Sequence, residues 1–253
     1  MKPLNEYIDH TMLKAEVLDL AFEILCDEAI KYKFRAVCVS PYIASGVVKA
    51  MLPEPDIKVA TVVAFPQGNI PLILKLREAS YMIDQGVDEI DFVLHYGEVL
   101  NQNWDRVAAE MGAMGEMCAQ GNVVSKCIVE TPVLQHKALL KKVFQILSEE
   151  SCIDFIKSST GMSYRGTKVS EIAYWNELRG HSDRPLIKAA GGIKTYEDAI
   201  AMVRAGADRL GMSASVKVME DYLANPSAFT EGGAPPAKVH EERDDSGSTG
   251  NLV

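Results

Sequence analysis

The chain has 253 residues, with 26 Lys+Arg against 35 Asp+Glu for a formal net charge of -9, and it is 47% hydrophobic and 24% charged. These values fit one large globular domain or two small ones and exclude a collagen-like, coiled-coil or wholly disordered chain. The acidic balance and the lack of a lysine-rich run argue against a nucleic-acid partner and leave small molecules as the expected ligands.

Residues 1–10 carry no apolar run of signal-peptide length, and the longest apolar stretch, residues 59–66, is far too short to span a bilayer. Cysteines at positions 26, 38, 118, 127 and 152 are odd in number, widely spread and without a C-x-x-C pair, which points away from a disulfide framework or a zinc cluster. A cytoplasmic protein with no membrane partner is expected.

In chain order, apolar and β-branched runs begin at Tyr7 (YID), Ala36 (AVCVS), Lys58 (KVATVVAF), Glu89 (EIDFVL), Val123 (VVSKCIV), Asp154 (DFIKSS), Leu186 (LIKAA) and Arg209 (RLGMSA). Their starts are 29, 22, 31, 34, 31, 32 and 23 residues apart, the length of a strand, a helix and two loops. Between them, residues 105–119 and 196–205 have helix-forming composition, and Thr195 with Asp198 reads as an N-cap pair. Gly86, Gly121 and Gly206 are placed to close helices in the left-handed conformation. Eight βα units close most economically into a (β/α)8 TIM barrel; a doubly wound open sheet is the alternative, but no G-x-G-x-x-G follows the first strand. The barrel is expected to be a single domain over residues 1–225. Residues 226–253, with five acids, two bases and many Pro and Gly, read as a disordered acidic tail.

Lys126, Lys157 and Lys188 lie in three consecutive strand runs, 31 residues apart in both intervals, which predicts similar heights on neighbouring strands. A single strand lysine is ordinarily explained by snorkelling or by pairing with a carboxylate. Three together point to chemistry. At a reference pKa near 10.4 only about one amine in a few thousand is unprotonated at pH 7, and burial beside another cation frees it for attack on a carbonyl. Strand alternation puts Phe155, Lys157 and Ser159 on one face, and Glu89 and Asp91 on one face of their own strand, so that Asp91 can face the lysines as a proton relay or anchor. His10 and His95 lack ligand spacing, so neither a metal nor any other cofactor is expected. The glycine-bearing turns STGM at Ser159, AGGIK at Ala190 and GMSAS at Gly211 follow the sixth, seventh and eighth strands, where barrels build phosphate sites.

The runs IDHTMLK, AVCVSP, VATVVAFPQG, VDEIDFVLHYG, KCIVET, DFIKSSTG, IKAAGGIKTYEDA and AGADRLGMSAS occur in this order from Ile8 onward. In these motifs the chain resembles the deoxyribose-phosphate aldolases, the DeoC-type class I aldolases, from about Leu4 to Ala224. The resemblance implies metal-free, reversible cleavage of 2-deoxy-D-ribose 5-phosphate to D-glyceraldehyde 3-phosphate and acetaldehyde. It makes Lys157 the Schiff-base lysine, Lys188 its activating neighbour and Asp91 the proton-transfer acid. Lys126 becomes a further pocket lysine, Asp9, Thr11 and Cys38 substrate-side residues, Thr160 a substrate-binding residue, and Gly161, Gly191, Gly192, Gly211 and Ser213 the phosphate side. Met162 and Ala214 stand where some members carry a lysine and a serine, and the tail lacks the terminal tyrosine of some members. The partners implied are the sugar phosphate and acetaldehyde, with a homo-oligomer left open. A Schiff-base lyase for a different aldehyde, and a non-catalytic sugar-phosphate binding barrel, are the competing readings.

Overall fold

The computed structural model describes residues 2–16, 19–150 and 152–224; the expected disordered tail, residues 226–253, lies outside the described residues. After a 3₁₀ turn at Leu4–Tyr7, eight parallel strands close into a barrel in sequence order, with β1 (Ile8–Met12) pairing β8 (Arg209–Met212). Between them run β2 (Ala36–Val39), β3 (Lys58–Val63), β4 (Glu89–Val93), β5 (Val124–Ile128), β6 (Phe155–Lys157) and β7 (Leu186–Ala190). Seven of the eight apolar runs thus contain a whole strand and the first, YID, overlaps the start of β1, and the fold is the TIM barrel.

The helices follow their strands: α1 (Asp19–Tyr32), α2 (Pro41–Met51), α3 (Leu72–Asp84), α4 (Tyr96–Leu100), α5 (Trp104–Gln120), α6 (Lys137–Glu150), α7 (Val169–Arg179), α8 (Tyr196–Arg204) and α9 (Ser215–Ala224). Thr195 caps α8, its hydroxyl accepting from the Asp198 N–H while the Asp198 carboxylate accepts from the Thr195 N–H. Gly86 and Gly206 have φ of 85° and 109°, the left-handed values expected of helix-closing glycines. Gly121 differs: its φ is -80°, and the left-handed residue is Asn122 at 54°. A Cβ at Gly121 would lie 2.8 Å from Ile83 Cγ2, so this glycine serves the close approach of α3 to α5.

Two environments divide the strand residues. The outward faces, including Val37, Ile90, Phe92, Cys127, Ile156, Ile187 and Leu210, join the helices in one large apolar core. Inside the barrel, Cys38, Ala60 and Val62 form a small separate apolar cluster on the β2–β3 side. Opposite them the interior is filled by charge. Among the described residues no helix is long and apolar enough to cross a membrane, and all five cysteines are free.

Candidate active site

Alternation along β1, β4, β5, β6, β7 and β8 sends Asp9, Glu89, Asp91, Lys126, Lys157, Lys188 and Arg209 into the barrel, each at most 4% exposed. Asp91 is the hub. Its Oδ1 accepts from Lys126 Nζ at 2.6 Å, while Oδ2 accepts from both Lys157 and Lys188 at 2.7 Å. Lys126 also meets Glu89 at 2.6 Å, and Lys188 donates to Asp9. Arg209 closes the network by donating to Asp9 through one nitrogen and to Glu89 Oε1 through the other, at 2.8 Å.

Equal sequence spacing does not translate into equal register. Lys157 pairs directly with Lys188, but Lys126 pairs with Phe155, two residues nearer the amino end of β6. The hydrogen-bond register between strands, which loop and helix lengths do not reveal, sets the height of each side chain together with the tilt of the strands. Lys126 is the register partner of Asp91 across β4 and β5, whereas Lys157 and Lys188 are register partners across β6 and β7.

Opposed charges set the protonation states. Burial, above all, pulls the Lys157 amine below the ordinary lysine range; Lys188 pulls the same way, and Asp91 opposes both. Against the cost of burial, Asp9 and Asp91 hold Lys188 above that range, and Asp91 and Glu89 do the same for Lys126. Burial disfavours the Asp91 carboxylate too, yet Lys126, Lys157 and Lys188 hold it well below the usual value. Lys157 is thus the one lysine of the three whose amine is made easier to deprotonate.

Above this layer, a cavity of about 590 Å³ opens at the carboxyl ends of β6, β7, β8 and β1. Thr11, Lys157, Thr160, Gly161, Gly191, Gly192, Gly211 and Ser213 line it, so eight of the expected site residues converge there. Asp9, Cys38, Asp91 and Lys126 are fully buried and do not line it. Of the expected substrate-side residues, Asp9 and Lys126 lie in the ionic layer beneath the cavity, and Cys38 packs against Ala60 and Val62. Burial pushes the Cys38 thiol up, which keeps it uncharged at neutral pH.

Glycines shape the cavity in two ways. Gly161 and Gly191 have φ of 80° and 89°, and a Cβ on Gly191 would sit 3.1 Å from Gly161 Cα and from Ser159 Oγ, so the turns after β6 and β7 pack against one another. At Gly211 a Cβ would come within 3.2 Å of Lys188 Cε, so the missing side chain makes room for the lysine stem.

Several participants escaped the sequence reading. Arg209 completes the ionic layer together with Glu89, which the strand pattern already puts on the face of Asp91; an arginine at the start of a strand run reads as an exposed end residue until the barrel closes around it. Glu130, with φ of 57°, accepts from the Thr160 N–H at 3.1 Å and so holds the turn after β6. Lys194 and Lys14 line the cavity mouth and bring positive charge to it. Among the described residues no group of three or more His, Cys, Asp or Glu side chains could hold a metal ion.

A model of the DeoC/LacD family aldolases matches residues 5–219. The deoxyribose-phosphate aldolase of Caldicellulosiruptor saccharolyticus is 39% identical over 222 residues, covering 87% of this chain and 98% of that protein. The deoxyribose-phosphate aldolase of Metamycoplasma arthritidis is 40% identical over 217 residues, covering 86% and 97%. Among solved structures, the tetrameric deoxyribose phosphate aldolase of Aeropyrum pernix is 29% identical with a TM-score of 0.78, covering 87% of this chain and 91% of that one.

Proposed function

The chain belongs to the DeoC/LacD family of aldolases, and on that premise we propose that it is a class I aldolase that reversibly cleaves 2-deoxy-D-ribose 5-phosphate to D-glyceraldehyde 3-phosphate and acetaldehyde. The observation that carries this reading is the sharing of Asp91 Oδ2 by Lys157 and Lys188, with Lys157 alone of the three lysines at the cavity.

In the cleavage direction the Lys157 amine attacks the sugar aldehyde and water leaves, giving a protonated imine. As the bond between C2 and C3 breaks, the C3 hydroxyl loses its proton and becomes the aldehyde of the released triose phosphate. The bonding pair flows into the imine, producing an enamine on Lys157. Protonation at C2 and hydrolysis then release acetaldehyde and the free amine. Asp91 and Lys188 serve as the proton-holding partners of Lys157, because one carboxylate oxygen bridges the two nitrogens without any side-chain rearrangement. Backbone amides of the turns at Gly161, Gly191 and Gly192, the Thr160 and Ser213 hydroxyls and the Lys194 and Lys14 cations surround the place for the phosphate.

The family match ends at residue 219 and α9 at Ala224, which supports one catalytic barrel domain up to residue 225. The tetrameric Aeropyrum pernix relative supports self-association of this chain. The test of the reaction is borohydride reduction in the presence of acetaldehyde, followed by peptide mapping. An ethyl adduct on Lys157 is expected. An adduct on Lys188 or Lys126 instead, or none on any lysine, overturns the assignment.

A further inference from the structure

The ionic layer contains three carboxylates, Asp9, Glu89 and Asp91, and, apart from Lys157, three cations, Lys126, Lys188 and Arg209. All seven groups are at most 4% exposed. An unbalanced charge in such a place is costly, because neither water nor mobile ions compensate it. With three charges of each sign already paired, a proton on Lys157 is the surplus one.

Arg209 contributes to this balance from a distance. Its guanidinium lies over the Phe155 ring, 5.6 Å from the centroid, and Phe155 is two residues before Lys157 on the same face of β6. It touches Asp9 and Glu89, and Asp9 in turn holds Lys188. We infer that Arg209 is a positioning residue of the aldol reaction, acting as the counter-charge that frees Asp9 and Glu89 from needing a proton on Lys157 and so leaves that lysine neutral and nucleophilic. This inference rests on the Schiff-base reading above and deepens it.

Other titratable groups near Lys157 lie outside this ionic layer: His10, Lys14, Glu28 and Lys194 line the cavity above it. Asp91 and Lys188 face Lys157 from β4 and β7, Lys126 reaches Asp91 from β5, and the Cys38 thiol on β2 is kept neutral by burial. β3 presents Ala60 and Val62 to the interior. Beyond the layer, Lys2, about half buried, feels the Arg209 charge. The same balance assists the bond-breaking step: the protonated imine carries the surplus charge, and the electron pair released from the C2–C3 bond neutralises it as the enamine forms.

The experiment measures the rate of imine formation with acetaldehyde, by borohydride trapping and mass measurement, from roughly pH 6 to 10, the range that brackets a depressed lysine pKa. Wild-type protein is compared with Arg209→Met, Arg209→Lys, Glu89→Gln and the Arg209→Met/Glu89→Gln pair. Arg209→Met should raise the pH midpoint by about one unit or more, slowing the reaction about tenfold at neutral pH while keeping the alkaline plateau. Arg209→Lys, which keeps the charge, should keep the wild-type midpoint. Glu89→Gln alone should lower it, and the pair should return it toward wild type. A purely structural role would reduce the rate by the same factor at every pH, and that result overturns the inference, as does an unmoved midpoint in Arg209→Met. Should Arg209→Met fail to fold, Glu89→Gln still decides, since an unchanged or raised midpoint there contradicts the balance. A wild-type protein that forms no adduct on Lys157 would instead bring down the aldolase reading itself.

Discussion

Met162 is 52% exposed and lines the cavity mouth, so its side chain is placed to meet whatever enters, but it offers neither charge nor hydrogen bond. Lys194, from the turn after β7, lines the same cavity and supplies a cation that the sequence reading did not single out. A charge-assisted hydrogen bond is worth roughly 1.5–3 kcal/mol, a factor of about ten to a hundred in affinity. Met162→Lys should therefore raise the kcat/KM ratio of phosphorylated over unphosphorylated deoxyribose by about tenfold, and Lys194→Met should lower it by a similar factor. Parallel kinetics on the two sugars checks both; an unchanged ratio in Met162→Lys would show that position 162 does not reach the phosphate. At this scale Lys157 was legible as a candidate because lysines recur in three consecutive strand runs, whereas a single one is ordinarily explained by snorkelling or pairing. The room that Gly211 leaves for the Lys188 stem was not, since that stem comes from the neighbouring strand.

Among the elements, the end of β4 is held from outside the barrel by a second buried ion pair. Lys75 on α3 donates to the Val93 carbonyl at 2.8 Å and to Glu110 of α5 at 2.6 Å, and Glu110 accepts from the His95 N–H. These bonds fasten the strand just after Asp91 to two helices. Burial pushes the Glu110 carboxyl above the usual range even with Lys75 beside it, so the pair is bound at a desolvation cost. Removing one member leaves the other unpaired: Lys75→Met should cost about 3–5 kcal/mol in denaturant unfolding, and adding Glu110→Leu should recover most of it. If the double variant is no more stable than the single, the cost lies in packing rather than in the stranded carboxylate. The opposite rim uses a repeated device. Asp88, Asp154 and Asp208, each directly before an even-numbered strand, accept from the backbone N–H of Val59, Ser125 and Ile187 on the preceding strand, at 2.8, 3.0 and 2.8 Å. The strand positions were readable from apolar runs, but this stapling was not, because its acceptor and donor lie on different βα units.

Across the whole molecule, the interior carboxylates couple stability to pH. Despite burial, Arg209 and Lys188 hold Asp9 below the usual carboxylate range, Lys126 and Arg209 do so for Glu89, and the three lysines do so for Asp91. A folded-state pKa below the unfolded one gives stability that is fully present above the unfolded value, near 4, and is lost as pH falls through the folded values. Lys157 has the opposite effect on the alkaline side: its depressed pKa costs stability at neutral pH, and that cost fades as pH rises toward the ordinary lysine value. The denaturant midpoint should accordingly hold from about pH 5 to near neutrality and fall steeply below about pH 4. In an Asp9→Asn variant the acid-side fall should be shallower, because one depressed carboxyl no longer takes up a proton. An identical slope in that variant would place the acid sensitivity elsewhere in the molecule.

Periodicity of apolar runs determined the barrel, because a βα repeat of this length leaves few ways to bury both faces of a parallel sheet. Local sequence likewise determined the Thr195 cap and the face shared by Phe155 and Lys157, since both depend on neighbours a few residues away. Only the tertiary structure decided that Lys126 is offset from Lys157 by two residues in the strand register and that Asp9 meets Lys188 and Arg209. It alone showed that three carboxylates meet three other cations around the Lys157 amine. Strand register and barrel closure bring together residues up to 200 positions apart, as in the Arg209–Asp9 contact. The charge that a buried group can carry depends on that assembled set, not on its own stretch of chain.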